Sequence, residues 1–256
     1  MFRLTTLFDL TGRTALVTGG NSGIGLAMAR ALGLAGARLV IVARREDALR
    51  EAAEGLQAEG LQVDVLPADL AASDAGERLA TACKELGRDV DILVNVAGLN
   101  LRQPFMKVTA EAFDLHMAVH LRAPFLLTQS FAPAMAQRGY GRIINIASLQ
   151  SYRAFPDCAP YGAAKGGVVQ LTRAIAEEWS RQGVTCNAIA PGFFPTPLTA
   201  AVFADSARSA RNAAQTAIGR NGELEDLAGA TVFLAAPASA YVTGQTLTVD
   251  GGFTAK

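Results

Sequence analysis

Residues 14–34 read TALVTGGNSGIGLAMARALGL. Thr14 to Thr18 is a short apolar run, and Leu26 to Leu34 spaces its leucines and alanines as a helix does. Between them stand Gly19, Gly20, Gly23 and Gly25, so the stretch predicts strand, glycine turn, helix. The same alternation continues outward. Buried-strand runs recur at Arg38 to Val42, Gln62 to Leu66, Asp91 to Val96, Arg142 to Ala147 and Thr185 to Ala190, and VTGQTLTVDGG closes the pattern at 242–252. Helical patterns occupy 46–58, 73–87, Glu111 to Met135 and Val168 to Trp179. Six or seven strands alternating with helices predict an α/β fold with a doubly wound parallel sheet and helices on both faces.

The chain has 256 residues, 50% hydrophobic and 18% charged, which suits a single domain over 1–256 with one large core. Formal net charge is zero and no basic block occurs, which argues against nucleic acid or an anionic membrane surface as the partner. The N-terminal MFRLTTLFDLTGR lacks an apolar core with a cleavage site, and no apolar run approaches the ~20 residues that span a bilayer. A cytoplasmic protein is expected. Cys83, Cys158 and Cys186 are odd in number and widely spaced, so they are read as small buried fillers rather than a disulfide framework or zinc site.

A glycine turn that opens a helix lets backbone amides approach a pyrophosphate, and the helix N-terminus adds partial positive charge. The candidates are Gly19, Asn21, Ser22, Gly23, Ile24 and Gly25, spaced G-x-x-x-G-x-G rather than G-x-G-x-x-G. A ribose 2′-hydroxyl is usually held by an acid about 20 residues further on, whereas a 2′-phosphate calls for Arg. Ala43 stands at the acid's position, followed by Arg44 and Arg45, so NADP(H) is preferred over NAD(H). Asp69 either caps the following helix or, with Leu70, meets the adenine. In Asn95-Val-Ala-Gly98, Ala97 and Gly98 are small enough to let the nicotinamide half pass close to the backbone. The expected architecture is Rossmann-type, with ligands at the carboxyl ends of the strands.

Tyr161 and Lys165 are four apart, on one helical face, and Ser148 ends the strand before them. A nearby ammonium is expected to lower the phenol's pKa, and a serine hydroxyl can bond the same substrate oxygen. The three suit proton exchange with a carbonyl being reduced or an alcohol being oxidised.

These motifs together resemble the short-chain dehydrogenase/reductase family from Thr14 to Gly252: TGGNSGIG at 18–25, NVAG at 95–98, Ser148, Tyr161 with Lys165, NAIAPG at 187–192 and the closing VTGQTLTVDGG. The resemblance implies that Tyr161 is the acid/base, that Ser148 steadies substrate and that Lys165 also bonds the nicotinamide ribose. It implies that Asn95, Pro191, Gly192, Phe194 and Thr196 belong to the cofactor side, and that the protein is a homotetramer or dimer. No metal is expected.

Two positions depart from the family pattern. Val96 replaces a second asparagine, which is expected to matter structurally. His120 stands where the family generally has a catalytic asparagine in a proton relay. Pro124 cannot bond the carbonyl of residue 120, so the helix should be disturbed there, and the freed carbonyl can still hold a water. His120 is then tolerated, or shuttles protons with a group that titrates near neutral pH. His116 and His120 are spaced i, i+4, but nothing nearby completes a metal site.

The segment 191–217 reads as a substrate lid, in which Phe193, Phe194, Leu198 and Phe203 form an apolar wall or anchor the lid to the body. Asn100-Leu-Arg102, Ser148-Leu-Gln-Ser-Tyr152 and Phe193 are similar to gluconate 5-dehydrogenases and related sugar-acid oxidoreductases. On that reading the small-molecule substrate is a sugar acid or polyol. Arg102 and Arg153 pair with its carboxylate and Gln150 with a hydroxyl, the alternative being ordinary surface arginines. A β-ketoacyl carrier-protein reductase is the competing activity, and Glu177 points away from it because those enzymes tend to carry a basic residue there. A non-catalytic NADP(H) sensor or scaffold is the competing class, opposed by the complete set of Ser148, Tyr161 and Lys165.

Overall fold

In a computed structural model, residues 4–256 are described; the first three residues of the N-terminal stretch lie outside them. A short α1 (Leu4–Leu7) precedes β1 (Thr14–Thr18), α2 (Gly23–Leu34), β2 (Arg38–Ala43), α3 (Glu46–Ala58), β3 (Val63–Pro67), α4 (Ala75–Glu85) and β4 (Ile92–Asn95). Then come α5 (Ala110–Met117), α6 (Ala123–Gln137), β5 (Gly141–Ile146), α7 (Ala159–Trp179) and β6 (Val184–Pro191). α8 (Ala200–Phe203), α9 (Ser206–Gln215), α10 (Ala228–Ala235) and β7 (Thr246–Val249) complete the order.

One sheet of seven parallel strands results, in the order β3-β2-β1-β4-β5-β6-β7. Alternating strand residues feed two cores. Val17, Leu39 and Ile41 pack with Met28 and Leu32 of α2; Leu16, Val40 and Val42 pack on the other face with Leu127 and Phe131 of α6. Each fully buried leucine- or isoleucine-sized side chain contributes about 2 kcal/mol. From β1 the chain winds outward through β2 and β3, then returns to place β4 on β1's other side. The reversal opens a crevice at the carboxyl ends of β1 and β4.

The helix expected from Glu111 to Met135 is divided. Ala118–Arg122 forms a π-helical turn, in which the Ala123 N–H donates to the Ala118 carbonyl five residues back. Its cause is Pro124, at the start of α6, which has no N–H for a regular bond and crowds the carbonyl of residue 120. The segment 191–217 is more ordered than its sequence suggested, holding a 3-10 turn (Pro197–Thr199) as well as α8 and α9. All three cysteines are free and buried. Among the described residues no helix is long and apolar enough to cross a membrane.

Candidate active site

β1 delivers the chain into the glycine turn, where side chains are excluded by contact. A Cβ on Gly25 would lie 2.1 Å from the Gly19 carbonyl oxygen, and one on Gly19, at φ 67°, would lie 2.9 Å from Ala97 Cα. The turn therefore lies tight against β4's exit and leaves backbone amides and the N-terminus of α2 toward the crevice. Ser22 precedes that helix in an extended conformation and its hydroxyl makes no capping bond. Thr18 fixes the neighbouring exit, its hydroxyl accepting from the Val96 N–H (3.0 Å) and the Ala97 N–H (3.2 Å). Val96 packs its side chain against the apolar core, which is how the sequence does without an amide there.

The crevice widens into a cleft of about 790 Å³. It gathers the turn from Gly19 through Gly25, Arg44 and Arg45 after β2, Asp69 and Leu70 after β3, and Ala97 and Gly98 after β4. His120, Ser148, Tyr161 and Lys165 line its middle, with Pro191, Gly192, Phe194 and Thr196 on the far wall. Arg102, Gln150 and Phe193 line it too.

Asn95 and Arg153, both named from the sequence, fall outside the lining. Asn95 is buried behind it, its amide donating to the Asn145 side chain (2.8 Å), which in turn donates to the Thr172 hydroxyl (3.0 Å). It ties β4 to β5 and α7 rather than facing a ligand. Arg153 lies over the Phe253 ring (5.1 Å) and lines an adjoining pocket of about 410 Å³ instead. The reason is local: the chain turns after Tyr152, so Gln150 touches both spaces while Arg153 reaches only the second. Capping by Asp69 is also corrected. Its carboxylate accepts from the Ala71 N–H (3.0 Å), and the position before α4 belongs to Asp74.

At the centre, β5 ends at Ile146 and Ser148 opens a 3-10 turn, its hydroxyl accepting from the Gln150 N–H (3.1 Å). Ser151 closes the turn. Its hydroxyl accepts from the Ser148 N–H (3.2 Å) and donates to the Lys165 carbonyl (2.7 Å), tethering the Ser148 turn to α7. On α7, Lys165 is 4% exposed, its Nζ donating to the Ile146 carbonyl and lying 5.7 Å from the Tyr161 ring centre.

Burial decides the ionisation here. It lowers the Lys165 ammonium from 10.5 to about 7. It raises the Tyr161 phenol above 10, against the pull of the Ser148 hydroxyl, so the expected lowering by the lysine is overturned. Tyr161 is a neutral phenol holding a proton.

His116 and His120 turn out to hold backbone. The Nδ1–H of His116 donates to the Ala112 carbonyl (2.7 Å), and its Nε2 accepts from the Leu101 N–H (3.2 Å). His120 Nε2 lies 2.7 Å from the Leu99 carbonyl and 3.2 Å from the Leu99 N–H. One nitrogen cannot serve both, and the shorter contact places the proton on Nε2, donating to the carbonyl. Nδ1 is then a bare acceptor, buried and without a partner among the described residues. The ring stands edge-on to Tyr161 (centroids 5.1 Å), and a Cβ on Gly98 would lie 2.6 Å from its Cε1. Burial first, then the Lys165 charge, hold the imidazole well below 6.5, so the expected titration near neutral pH does not occur. Among the described residues no three His, Cys, Asp or Glu side chains cluster as a metal site would require.

In the segment after β6, Phe193 meets the rings of Phe155 and Phe253, whereas Phe194 is 2% exposed and presses on Gly222. Phe193 and Leu198 thus face the cleft, Phe194 anchors the segment, and Phe203 lies outside the lining. The sequence reading missed Arg208 and Asn212, which reach the cleft from α9. Their i, i+4 spacing on one polar helix was the available signal.

A family model described as enoyl-(acyl carrier protein) reductase matches residues 19–254. A gluconate 5-dehydrogenase of Gluconobacter oxydans is 41% identical over 249 residues, covering 97% of each chain. A galactitol 2-dehydrogenase (L-tagatose-forming) of Cereibacter sphaeroides is 38% identical, covering 97% of this chain and 98% of its own. A gluconate 5-dehydrogenase of Burkholderia cenocepacia, solved in complex with NADP and tartrate, superposes with a TM-score of 0.94 at 40% identity, covering 99% of this chain and 100% of its own.

Proposed function

The chain belongs to the short-chain dehydrogenase/reductase family, and from that premise we propose that it exchanges a hydride between NADP(H) and the ketone or secondary alcohol of a sugar acid. The observation that carries the reading is geometric: Ser148, Tyr161 and, one helical turn on, Lys165 line the same cleft as the glycine turn.

The residues present fit a dinucleotide. The cradle at Gly19 and Gly25 leaves no space for a Cβ, and α2 begins there with free backbone donors. Arg44 and Arg45 follow β2 with no acid at Ala43, which suits a 2′-phosphate. When bound, the nicotinamide supplies or accepts the hydride. Tyr161 holds the proton that the substrate oxygen takes in reduction and receives it back in oxidation. Ser148 can donate to that same oxygen, and the Lys165 ammonium offsets charge that develops on Tyr161. Ser151 keeps Ser148 in register with the helix that carries the other two.

A sugar acid is preferred because the cleft is lined by five basic residues, Arg44, Arg45, Arg102, Lys165 and Arg208, and by one acid, Asp69. NADPH consumption with 5-keto-D-gluconate, a ketohexose and a β-ketoacyl thioester tests the assignment. The keto acid should be the best substrate, and Tyr161→Phe should remove most turnover while NADPH binding persists. Turnover preserved in Tyr161→Phe would sink the chemistry; a preferred thioester would sink the substrate.

The protein is further proposed to be a cytoplasmic homotetramer or dimer. Phe105, Met106, Phe113 and Phe125 are 76%, 89%, 44% and 50% exposed around α5 and α6, an apolar surface that a second copy would cover.

A further inference from the structure

Resting on the sugar-acid reading and deepening it, we infer that α9 carries the pair that holds the substrate's carboxylate, Arg208 by its guanidinium and Asn212 by its side-chain amide. α9 begins at Ser206, and the Asp205 carboxylate caps it by accepting from the Arg208 N–H (2.9 Å). Arg208 and Asn212 are one turn apart, so they share a face, and both line the cleft. Asn221 fixes the angle of that face, its amide donating to the carbonyl (3.1 Å) and hydroxyl (3.0 Å) of Ser209.

Asn212 supplies the first pointer to a ligand. It is 9% exposed, yet its Nδ2 has no hydrogen-bond partner among the described residues. A buried amide donor without an acceptor is costly, and the cleft is where an acceptor can arrive.

The second pointer is the state of the arginines at the substrate end. Arg102 already donates from Nη2 to the Pro156 carbonyl (3.1 Å), and Arg153 is engaged over Phe253 beside the adjoining pocket. The Arg208 guanidinium makes no hydrogen bond or ion pair among the described residues. It therefore presents its full donor fork. Asp69, the one acid in the lining, follows β3, and Arg44 and Arg45 follow β2, on the side where the sheet begins its outward winding. A carboxylate accepts from both a guanidinium and an amide, whereas a neutral hydroxyl gains no charge assistance from Arg208. The pair therefore discriminates acid from polyol at the end of the substrate that does not react.

The test compares kcat/KM for 5-keto-D-gluconate and for a neutral ketohexose in the wild type, Arg208→Gln, Arg208→Lys and Asn212→Ala, with NADPH titrated into each. Losing one charge-assisted bond should lower Arg208→Gln on the keto acid by about tenfold or more, chiefly through KM, with the ketohexose lowered by less than about threefold. Arg208→Lys should recover part of the loss, Asn212→Ala should shift the same ratio, and NADPH affinity should hold. Equal loss on both substrates would show a structural role, and weakened NADPH binding would show a cofactor contact; either overturns the pair. A wild type inactive on sugar acids but active on other ketones overturns the substrate reading itself, and the pair with it. An active wild type with an unchanged ratio in Arg208→Gln overturns the pair alone.

Discussion

Replacing Lys165 by methionine should make the protein's stability less dependent on pH, by an amount that follows from the lysine's burial. Lys165 is 4% exposed and burial lowers its pKa from 10.5 to about 7. Below pH 7 the folded and unfolded chains both carry the proton, and the fold bears the full cost of a buried ammonium. Between about 7 and 10.5 the unfolded chain binds one more proton than the folded one, so stability rises with pH. At about 1.4 kcal/mol per pH unit the whole interval is worth about 5 kcal/mol, and the part from pH 7 to 9 about 3 kcal/mol. Titrating groups that do not sense Lys165 cancel in the comparison of wild type with Lys165→Met at equal protein concentration, and His120, which does, is held neutral by burial first. Urea unfolding of both, without dinucleotide, at pH 6, 7, 8 and 9 measures it. The wild type should gain on the variant by about 3 kcal/mol from pH 7 to 9 and by almost nothing from pH 6 to 7. A difference flat from pH 6 to 9 would mean the ammonium keeps its ordinary pKa, and the electrostatic description of the site would fail.

Three other expectations are simpler. Arg44→Ala should weaken NADPH binding and leave NADH nearly unchanged in parallel fluorescence titrations; equal loss for both would deny it a role in choosing the cofactor. His120→Asn should change the rate but not the pH dependence of kcat/KM between pH 6 and 9, because the imidazole is neutral throughout that range. A limb that vanishes from the profile would restore His120 as a titrating shuttle. Phe113→Asp with Phe125→Asp should yield a smaller species by analytical ultracentrifugation, since both phenylalanines are about half exposed on an otherwise folded surface; an unchanged mass would place any subunit contact elsewhere.

The sheet was legible because each strand is a short apolar run bounded by glycine or polar residues, and central strands buried on both faces have no other way to be written. The glycine turn was legible for a similar reason, since Gly25 tolerates no side chain at all. Pro124 even announced the disturbance that takes the form of the π turn. What stayed hidden depends on groups distant in sequence. Tyr161 and Lys165 are correctly paired by spacing, but their ionisation is set by how much protein surrounds them, which spacing does not encode. Arg153 looked as available as Arg102 until the Phe253 ring, 100 positions on, drew it aside. The His120 imidazole suggested proton chemistry, while the partners of His116 and His120 are backbone groups that no sequence pattern displays. Arg208 and Asn212 sit in a polar ten-residue helix, SARSARNAAQ, whose i, i+4 spacing puts them on one face without saying that this face turns to the cleft.

Chain length itself becomes a constraint at the π turn. An α-helix advances about 100° per residue, so accommodating one residue more than a regular helix needs sets α5 and α6 out of phase by about that angle. Deleting any single residue between 118 and 122 would remove that extra residue and turn α5 by about 100° against α6, with Pro124 still interrupting the bond ladder. α5 would rotate, His116 would leave the Leu101 N–H, and the loop that carries Arg102 would lose its fastening. Such a deletion spares Ser148, Tyr161 and Lys165, yet it would dismantle one wall of the cleft around them. Two chains that agree at Ser148, Tyr161 and Lys165 can therefore differ in what they accept, through a gap one position wide in a helix that carries none of those three.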